Sequence, residues 1–435
     1  MNNNSSDITS NEQFSKYFEL YEPREDSYLL QKYVQIYTKK GILFLDMGTG
    51  SGIQGITALK KKAKVVSIDI NKKAIQYAKE NAKKELNEKE LKNIKFIESD
   101  LFKKIPKEYK NKFDIIAFNP PYLPKERILK KEDENIALYS AKRGCETTLR
   151  FLENANEYLK EDGFILLIGS SLASWSLLEE SLKKNLFDYE ILEKIHIFFE
   201  DIFILKIKKS EILKKLEKLK IKNPKLFAKG KRGLIIKGLL KNKKILKNKN
   251  KKEVAIKIKR KDSEAKNTIE NETKFLKILN KHKIGPKLIL SKKDFLIYEF
   301  VKGEFIFDFI MEKTKKEIIL VLKKIFKQLF ILDKLKINKF EMHHPHKHII
   351  IEEKISRKKE TYNPVLIDFE RARFSNDTKN ITQFCDFLIG EDLNKILKEK
   401  NIIIHKEKII EMAKNYKHNK TKKNFYELLK YLSMI

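Results

Sequence analysis

The stretch that most constrains the fold of this chain is "ILFLDMGTGSG", residues 42–52. Its apolar beginning predicts a buried β-strand, and Gly48, Gly50 and Gly52 follow directly after it. A simple tight turn needs about one glycine, whereas three glycines between a strand and a helix let the backbone approach a bound molecule closely. The stretch therefore predicts an early strand of an α/β fold, with a ligand at the turn that follows.

The segments after this turn continue an alternation of strands and helices. Short apolar runs at 64–70, 94–100, 113–119 and 163–169 predict strands, and helical patterns occupy 53–62 and 72–87. This alternation is typical of a mostly parallel α/β sheet with crossover helices. Residues 194–209 contain two apolar runs separated by two acidic residues, which predicts an antiparallel hairpin at the sheet edge.

Charge is unevenly distributed along the 435 residues. Residues 1–209 hold 36 lysines and arginines against 32 acidic residues, whereas residues 210–435 hold 58 against 28. The second half is therefore a polycation, and such an excess favours phosphate-rich partners such as RNA or the ribosome. A general lysine bias of the chain is the alternative explanation.

These patterns predict two folded domains in a chain of this length. The predicted order is a disordered tail at 1–14, an α/β domain at 15–209, a charged linker at 210–221, an α+β domain with two lobes at 222–395 and a helical extension at 396–435. The longest apolar stretch, 163–178, is short and interrupted by glycine and serine, so no membrane span is expected. Cys145 and Cys385 provide no disulfide framework, which favours a cytoplasmic protein.

A second motif, "FNPPYLP", follows the fourth predicted strand. Asn119 offers a side-chain carbonyl, Pro120 offers its backbone carbonyl, and Pro121 stiffens the turn. Tyr122 adds a flat aromatic face. These groups suit a planar –NH2 group, whose two hydrogens need two acceptors, and orientation would provide most of the rate effect. Amides and nucleobase amino groups both meet this description, so both stay open as substrates.

The motifs "DMGTGSG", "VVSIDI", "SDLF" and "FNPPYLP", together with "YEPREDSYLL" at 21–30, resemble class I S-adenosylmethionine-dependent methyltransferases of the HemK type. The resemblance covers residues 15–209 and is to the branch that methylates a glutamine of peptide chain release factors. It implies a Rossmann-like fold, S-adenosylmethionine as the cofactor, and a small zinc-binding activator subunit.

The resemblance also implies which residues hold the cofactor. Carried over by position, the cofactor-binding set is Asp46, Gly48, Gly50, Gly52, Asp69, Asp100, Glu25, Asp26 and Ser27. Asp69 would accept from the ribose hydroxyls and Asp100 from the adenine amino group, while residues 25–27 would close the pocket near the methionine end. The nearly balanced charge of residues 1–209 favours a protein substrate over a nucleic acid.

The second half contains a separate set of motifs. "VAIKIKR" places Lys257 on a predicted buried strand, after a glycine segment with Gly230 and Gly233. A lone lysine on a buried strand is costly, and Glu272 on the next predicted helix is a candidate partner. "PVLIDFERA" ends a predicted strand in Asp368, where kinases keep their magnesium-binding aspartate.

Residues 222–395 resemble the atypical RIO-like protein kinases, through "IGPKLIL" and "LIDFE" in particular. The resemblance implies a two-lobed protein-kinase-like fold, either active or inactive as a serine/threonine kinase. The ATP site that it implies consists of Gly230, Gly233, Lys257, Glu272, His343, His348 and Asp368, with Mg²⁺ held by Asp368.

Four of the eight histidines lie in "EMHHPHKHII", residues 341–350. In one interpretation this is a degenerate catalytic loop, with His343 and His348 at the positions of the kinase aspartate and asparagine. Imidazole is a poor ligand for Mg²⁺, so Asp368 would hold that ion largely alone. A transition-metal tract and a solvated basic turn are the other two interpretations.

The sequence as a whole predicts a methyltransferase that acts on a release-factor glutamine and is fused to an atypical kinase-like domain. Two alternatives stay open. One is a methyltransferase that acts on adenine N6 in RNA or DNA, and the other is an RNA- or ribosome-binding adaptor with an inactive kinase-like domain.

Overall fold

The computed structural model describes residues 21–122, 144–246, 251–260, 267–356 and 359–435. The chain forms two compact units. The first runs to Leu219 and includes Asn223–Leu226, and the second contains Lys220–Lys222 and Phe227–Ile435. The tail predicted at 1–14 lies outside the described residues, as do the last two residues of the "FNPPYLP" motif. Within the described ranges, no helix is both long and apolar enough to cross a bilayer.

A seven-stranded sheet forms the centre of the first unit. Its strands are β1 (Leu43–Met47), β2 (Lys64–Asp69), β3 (Ile94–Glu98), β4 (Phe113–Phe118), β5 (Leu159–Ser170), β6 (Phe187–Ile197) and β7 (Glu200–Lys209). Their order is β3-β2-β1-β4-β5-β7-β6, with β1 to β5 parallel and β7 antiparallel to both of its neighbours. The predicted Rossmann-like sheet with an antiparallel edge hairpin is thereby confirmed.

The helices of the first unit connect these strands. They are α1 (Glu25–Tyr37), α2 (Ile53–Lys60), α3 (Lys72–Glu85), α4 (Glu88–Leu91), α5 (Glu146–Ala155), α6 (Trp175–Lys184) and α7 (Glu211–Lys218). Because the central strands are apolar along nearly their whole length, they bury both faces, as parallel strands usually do. Leu30 and Val34 of α1 are fully buried in the same core as Phe44 and Ile168, so α1 is anchored on the sheet.

Helix α7 occupies most of the segment that was predicted as a charged linker, residues 210–221. Its Leu213 and Leu216 are buried, and the ammonium group of the buried Lys209 lies 2.9 Å from a carboxylate oxygen of Glu217. The segment therefore packs as part of the first unit, because the apolar stripe of an amphipathic helix is stable only when it is covered.

The second unit begins with a five-stranded sheet of order β11-β12-β10-β9-β8. Its strands are β8 (Ile221–Lys229), β9 (Gly233–Leu240), β10 (Lys252–Lys259), β11 (Leu288–Ser291) and β12 (Phe295–Glu299), and helices α8 (Lys243–Leu246) and α9 (Thr268–Leu279) belong to the same part of the chain. Strand β10 lies at the centre of the sheet and is antiparallel to β9 and β12.

The rest of the second unit is mainly helical. Its strands are β13 (Gly303–Phe305), β14 (Ile337–Asn338), β15 (Ile349–Ser356), β16 (Lys359–Leu366) and β17 (Arg373–Phe374), and its helices are α10 (Ile306–Glu312), α11 (Lys315–Lys334), α12 (Asn380–Leu388), α13 (Glu391–Glu399), α14 (Lys406–His418) and α15 (Lys422–Met434). Helices α14 and α15 bury Tyr416, Phe425 and Leu432 in the same core as Leu329 of α11. The predicted extension at 396–435 therefore shares the core of the second unit.

Candidate functional site

Three loops that follow parallel strands meet at the carboxyl ends of these strands in the first unit. Strands β1, β2 and β4 run parallel, so their carboxyl ends lie side by side. The strand register places Gly48, which follows β1, between Asp69 at the end of β2 and Asn119 after β4. The two predicted motifs are therefore neighbours in space.

The glycine turn after β1 adopts a backbone that other residues rarely adopt. Gly48, Gly50 and Gly52 have φ angles of +64°, +50° and +86°, all in the left-handed region that favours glycine. A Cβ atom at Gly50 would have no neighbour within 4 Å, so this part of the turn faces open space. A cofactor can therefore approach the backbone here without an intervening side chain.

Asp46 supports this turn from inside the protein. It is buried, and its Oδ2 accepts hydrogen bonds from the backbone N–H of Gly55 at 3.0 Å and from the hydroxyls of Thr49 and Ser67. Burial raises the pKa of Asp46 to about 6, although these donors oppose the shift. Asp46 therefore acts on the cofactor turn through the fold, whereas the sequence alone assigned it to the cofactor directly.

The burial of Asp46 predicts a pH dependence of stability that an Asp46→Asn variant should lack. The carboxyl group binds its proton more tightly in the folded chain, where its pKa is about 6, than in the unfolded chain, where its pKa is the ordinary 3.8. The free energy of unfolding should therefore fall as the pH rises from about 4 to about 6. Urea titrations followed by Trp175, the chain's single tryptophan, should show the wild type losing stability relative to the variant in this window. Parallel curves would contradict the prediction.

Asp69 ends β2 and faces the glycine turn. One carboxylate oxygen accepts from the N–H of Gly50 at 3.1 Å, and the other accepts from the N–H of Asn71 at 2.9 Å. Burial raises the pKa of Asp69, and the backbone donors oppose this shift. A carboxylate at this position can accept hydrogen bonds from both hydroxyls of a ribose. The residues present therefore fit an adenosine cofactor, which Asp69 and the glycine turn would hold.

Asp100, which follows β3, is engaged by two cations. The Nη2 atom of Arg150 lies 2.8 Å and 2.6 Å from its carboxylate oxygens, and Nζ of Lys103 lies 2.7 Å from Oδ2. The hydrogen bond from Lys103, and then those from Arg150, lower the pKa of Asp100. The expected contact with an adenine amino group would share this carboxylate with Arg150, a residue that no sequence motif singled out.

Asp26 of helix α1 lies beside Asn119, the residue that follows β4. It is 2% exposed, and its Oδ2 accepts hydrogen bonds from Nδ2 of Asn119 at 2.9 Å and from the hydroxyl of Tyr122 at 3.0 Å. Its Oδ1 accepts from the hydroxyl of Tyr21 at 2.7 Å. The position near the methionine end of the cofactor that the resemblance implied stays a prediction, and in the structure the donors to this carboxylate come from the "FNPPY" turn and from Tyr21.

The other two residues of this group differ in exposure. Ser27 is buried, with its hydroxyl 3.4 Å from Nδ2 of Asn119, whereas Glu25 is exposed in the first turn of α1. Pro120 is buried, and Pro121 is partly exposed. Burial, followed by the charge of Asp26, raises the pKa of Tyr122, so its hydroxyl stays protonated as a donor.

The orientation of the Asn119 amide follows from this network. Because the Asp26 carboxylate cannot donate, the amide nitrogen of Asn119 must face it, and the amide oxygen must point away. That oxygen, Oδ1, is buried and has no hydrogen-bond partner among the described residues. Buried acceptors are rarely left unpaired unless a ligand or water completes them. The site therefore presents a fixed acceptor for a hydrogen-bond donor on a substrate.

The second unit contains a buried cluster of charges around Lys257. This lysine projects from β10, and its Nζ lies 2.6 Å from Glu272, 2.7 Å from Asp368 and 3.1 Å from Glu370. The structure thus joins the lysine and the two acids that the sequence named, and it adds Glu370. The ligand oxygens of these three acids lie within 4.8 Å of one another, and all three acids contact the same ammonium group.

The glycine turn between β8 and β9 lies close to Lys257. The N–H of Gly230 donates to the carbonyl of Gly233 at 2.9 Å, and a Cβ atom at Gly233 would lie 3.6 Å from Cε of Lys257. Arg232 of the same turn donates to Glu370 at 3.0 Å. This ion pair links the turn to the acidic cluster.

Asp368 has an unusual backbone and two cationic neighbours. Its φ is +63°, which is uncommon for a residue with a side chain. The fully buried Lys339 donates to the backbone carbonyl of Asp368 at 2.6 Å. Burial by itself would raise the pKa of Asp368, but the ammonium groups of Lys257 and Lys339 outweigh it and lower the pKa to about 2.

The two histidines predicted for the kinase-like site occupy different environments. His348 is partly buried, and its Nδ1 lies 3.8 Å from Oδ2 of Asp368. His343 is exposed in the 3₁₀ turn Phe340–His343, with its ring against His344. Glu341, which the sequence did not single out, is the residue of this loop that contacts Lys339, at 3.2 Å. The assignment of His343 to an ATP site stays a prediction, and in this structure its side chain is exposed.

Comparisons with known proteins address the first unit. A family model described as a methyltransferase domain matches residues 38–223. A relative from Methanocaldococcus jannaschii, provisionally named a protein N5-glutamine methyltransferase, is 39% identical over 194 residues, covering 43% of this chain and 90% of the relative. The release factor glutamine methyltransferase of Fusobacterium nucleatum is 40% identical over 129 residues, covering 28% of this chain and 35% of that protein.

A solved structure is also similar to the first unit. It is the E. cuniculi Mtq2–Trm112 complex, described as responsible for methylation of the eRF1 translation termination factor. The sequences are 24% identical, with 44% of this chain and 99% of the other chain covered, and the TM-score is 0.35.

The fold, the cofactor turn and the acceptor at Asn119 define an S-adenosylmethionine-dependent methyltransferase. This prediction from the sequence is confirmed. Through its first unit, the chain belongs to the family of protein N5-glutamine methyltransferases. It spans most of the length of the Methanocaldococcus relative and about a third of the Fusobacterium relative.

Proposed function

We propose that the first unit transfers the methyl group of S-adenosylmethionine to the side-chain amide of a glutamine in a peptide chain release factor. The observation that carries this proposal is the buried, unpartnered Oδ1 of Asn119, fixed in orientation by Asp26. A primary amide supplies the –NH2 donor that such an acceptor requires. The names of the relatives from Methanocaldococcus and Fusobacterium support the choice of glutamine.

The residues of the site would act by orientation. The cofactor supplies an electrophilic methyl group when bound. Oδ1 of Asn119 and the backbone carbonyl of Pro120 would accept the two amide hydrogens, which directs the nitrogen towards the cofactor side of the site. Tyr122 is held by Asp26 and would support the amide plane with its ring. Holding two reactants in a productive geometry can supply about 7–11 kcal/mol of a barrier.

The charge of the first unit favours a protein over a nucleic acid as the substrate. Residues 1–209 carry an excess of only 4 positive charges, whereas binding to a nucleic acid backbone depends on a concentration of lysine and arginine. A nucleobase amine remains the alternative substrate for the same acceptor geometry.

A labelling experiment tests this proposal. The protein would be incubated with methyl-labelled S-adenosylmethionine, the class 1 release factor of the same organism, and total RNA and DNA in separate reactions. We expect label in the release factor, on a single glutamine identified by mass spectrometry. Label in nucleic acid alone, or on a different residue type, would contradict the proposal.

We also propose that a small zinc-binding activator subunit assists this unit, as the family resemblance implies. Strand β3 lies at one end of the sheet order, and all of its side chains are partly buried or exposed. Edge strands of this kind can pair with a strand from another chain. Full activity of the purified chain, unchanged by adding any such subunit, would contradict this part of the proposal.

Asp26 provides a prediction about the orientation of the site. An Asp26→Ala variant should lower kcat by about 10- to 100-fold, because Asn119 and Tyr122 lose the group that orients them. Affinity for S-adenosylmethionine, measured by calorimetry, should change little. Asp188→Ala, which removes an exposed carboxylate from β6, serves as the matched control. Equal effects on kcat and on cofactor affinity would place Asp26 at the cofactor instead.

We propose nucleotide binding as a second function, located in the second unit. Its support is the ion pair between Lys257 of the central strand β10 and Glu272 of α9, the neighbouring glycine turn, and the three acids that could hold a divalent cation. The resemblance to atypical kinases points to ATP with Mg²⁺. Titration with a fluorescent ATP analogue and Mg²⁺ tests this function, and absence of binding at millimolar nucleotide would contradict it.

The basic composition of residues 210–435 supports contact with RNA or the ribosome. Lysine and arginine exceed acidic residues there by 58 to 28, and such an excess gains affinity by releasing counterions from phosphates. RNA binding by the full chain should weaken steeply as salt rises. Absence of RNA binding at low salt would exclude this contact.

A further inference from the structure

Two exposed phenylalanines form the tip of the β6–β7 hairpin. Phe198 and Phe199 lie between Ile197 and Glu200 and are 85% and 95% exposed. The φ of Phe198 is +49°, an uncommon angle for a bulky residue. Isolated exposed apolar residues need no explanation. Here, two adjacent aromatic rings at a tight turn leave most of their apolar area uncovered within the described part of the unit.

The hairpin tip projects beyond the carboxyl ends of the parallel strands, where the methyl-transfer site lies. Ser170 at the end of β5 pairs with Ile202 of β7, and β5 runs parallel to β4, which leads into Asn119. Phe199 lies three residues beyond Ile202, so the tip extends about 10 Å past the end of β5. The tip therefore lies at the same end of the parallel strands as Asn119, the proposed substrate acceptor.

The base of the hairpin is fixed to the sheet next to the site. The hydroxyl of Ser170 donates to Glu200 at 2.6 Å, and the N–H of Asp201 donates to the hydroxyl of Ser171 at 2.9 Å. Ser170 also lines a small cavity together with Pro120 and Tyr122. The phenylalanines are thus presented on a supported turn.

We propose that Phe198 and Phe199 dock the substrate protein, contacting apolar side chains near the glutamine that enters the site. This inference rests on the proposed function and deepens it. The binding partner follows from the position of the tip, because a macromolecule that brings an amide to Asn119 must approach the carboxyl ends of these strands. Aromatic residues are enriched at the centres of protein interfaces, where a few of them carry most of the binding energy.

The charges around the tip also favour a protein over a membrane surface. Asp201 pairs with Lys194 at 2.8 Å and with His196 at 3.0 Å, and Glu200 is adjacent in sequence. The flanking charges are therefore of mixed sign, whereas membrane-surface segments combine apolar residues with lysine and arginine. A second copy of this chain is the remaining occupant that the test must separate.

The test compares wild type with a Phe198→Ser/Phe199→Ser variant. Both side chains are exposed, so the variant should fold normally, as reported by Trp175 fluorescence. The dissociation constant for the unmodified release factor, measured by biolayer interferometry, should rise by about 10- to 100-fold. Methylation of a short peptide with the same glutamine should keep its kcat/KM. Ile36→Ser, which removes a side chain from α1 in a residue that is 58% exposed, is the matched control.

The outcomes separate this inference from the proposed function. Unchanged release-factor binding by the double variant overturns the docking role, whether or not the protein is active. Equal losses on peptide and on protein also overturn it, because the tip would then act inside the site. A wild-type dimer that the variant converts to a monomer, with release-factor binding unchanged, assigns the tip to a second copy. Tip-dependent binding without any methylation refutes the proposed function but leaves the docking role intact.

Discussion

Replacing Asn119 with alanine is expected to lower kcat/KM for the release factor by about 100- to 1,000-fold, since comparable losses follow removal of one preorganised hydrogen-bond partner from an active site. The physical reason is the loss of Oδ1, the buried acceptor that would orient the substrate amide. Backbone acceptance by Pro120 would remain, so a trace of activity should persist. Incorporation of labelled methyl groups over a range of release-factor concentrations provides the measurement.

Two controls make this result specific. Binding of S-adenosylmethionine should be nearly unchanged, because Asp69 and the glycine turn are not altered. Asn156→Ala removes another buried amide oxygen that has no partner among the described residues. Asn156 precedes β5 and therefore lies at the opposite end of the parallel strands from Asn119. Its variant should therefore retain activity. An Asn119→Ala protein with more than a tenth of wild-type kcat/KM would show that Oδ1 is not the substrate acceptor.

The largest predicted effect on stability concerns Lys257. A Lys257→Met variant should destabilise the second unit by about 3–5 kcal/mol, because it leaves Glu272, Asp368 and Glu370 without their shared cation. Methionine keeps the apolar length of the lysine stem, so the loss reports mainly on charge. Thermal unfolding followed by far-ultraviolet circular dichroism should show this loss, while Trp175 in the first unit should report an unchanged transition.

The pH dependence provides a second signature of the Lys257→Met variant. Without the ammonium group, burial and mutual repulsion should raise the pKa of the remaining carboxyl groups in the folded chain. The defect should therefore be largest at neutral pH and smaller in mild acid, where these groups are protonated. Lys259→Met, two residues further along β10 and partly exposed, is the control. The inference about a charge cluster fails if both variants show the same small loss at every pH.

Nucleotide binding should respond to the same substitution. If the second unit binds ATP, Lys257→Met should abolish binding of the fluorescent analogue under conditions where the protein is still folded. Binding that survives the substitution would separate the charge cluster from any nucleotide site and leave it with a structural role.

Much of the first unit could be predicted because its signals are local. The strands of the parallel sheet are short apolar runs, and the glycine turn and the "FNPPY" turn each lie within a few residues of a strand end. Because parallel strands end side by side, the register of the sheet then brings Gly48, Asp69 and Asn119 together. The predicted strand limits at 64–70 and 113–119 differ from the observed ones by a single residue.

The positions of Asp26 and Arg150 could not be predicted in the same way. The contact between Asp26 and Asn119 spans 93 residues, and it depends on how α1 packs against the sheet. The pairing of Arg150 with Asp100 depends similarly on α5. In the second unit, exposure of His343 and burial of Lys339 follow from a 3₁₀ turn that no periodicity in the histidine-rich stretch indicated.

The sequence by itself determined the order of the strands and helices along most of the first unit, the chemistry of its two motifs, and the division of charge between the two halves of the chain. These properties depend on residue type and on spacing over a few residues. Tertiary structure alone decided that Asp26 orients the Asn119 amide, that Glu370 joins the cluster around Lys257, and that Phe198 and Phe199 lie at the same end of the parallel strands as Asn119. Each of these depends on the packing of distant segments, where burial removes competing water and makes the remaining hydrogen bonds and charges selective.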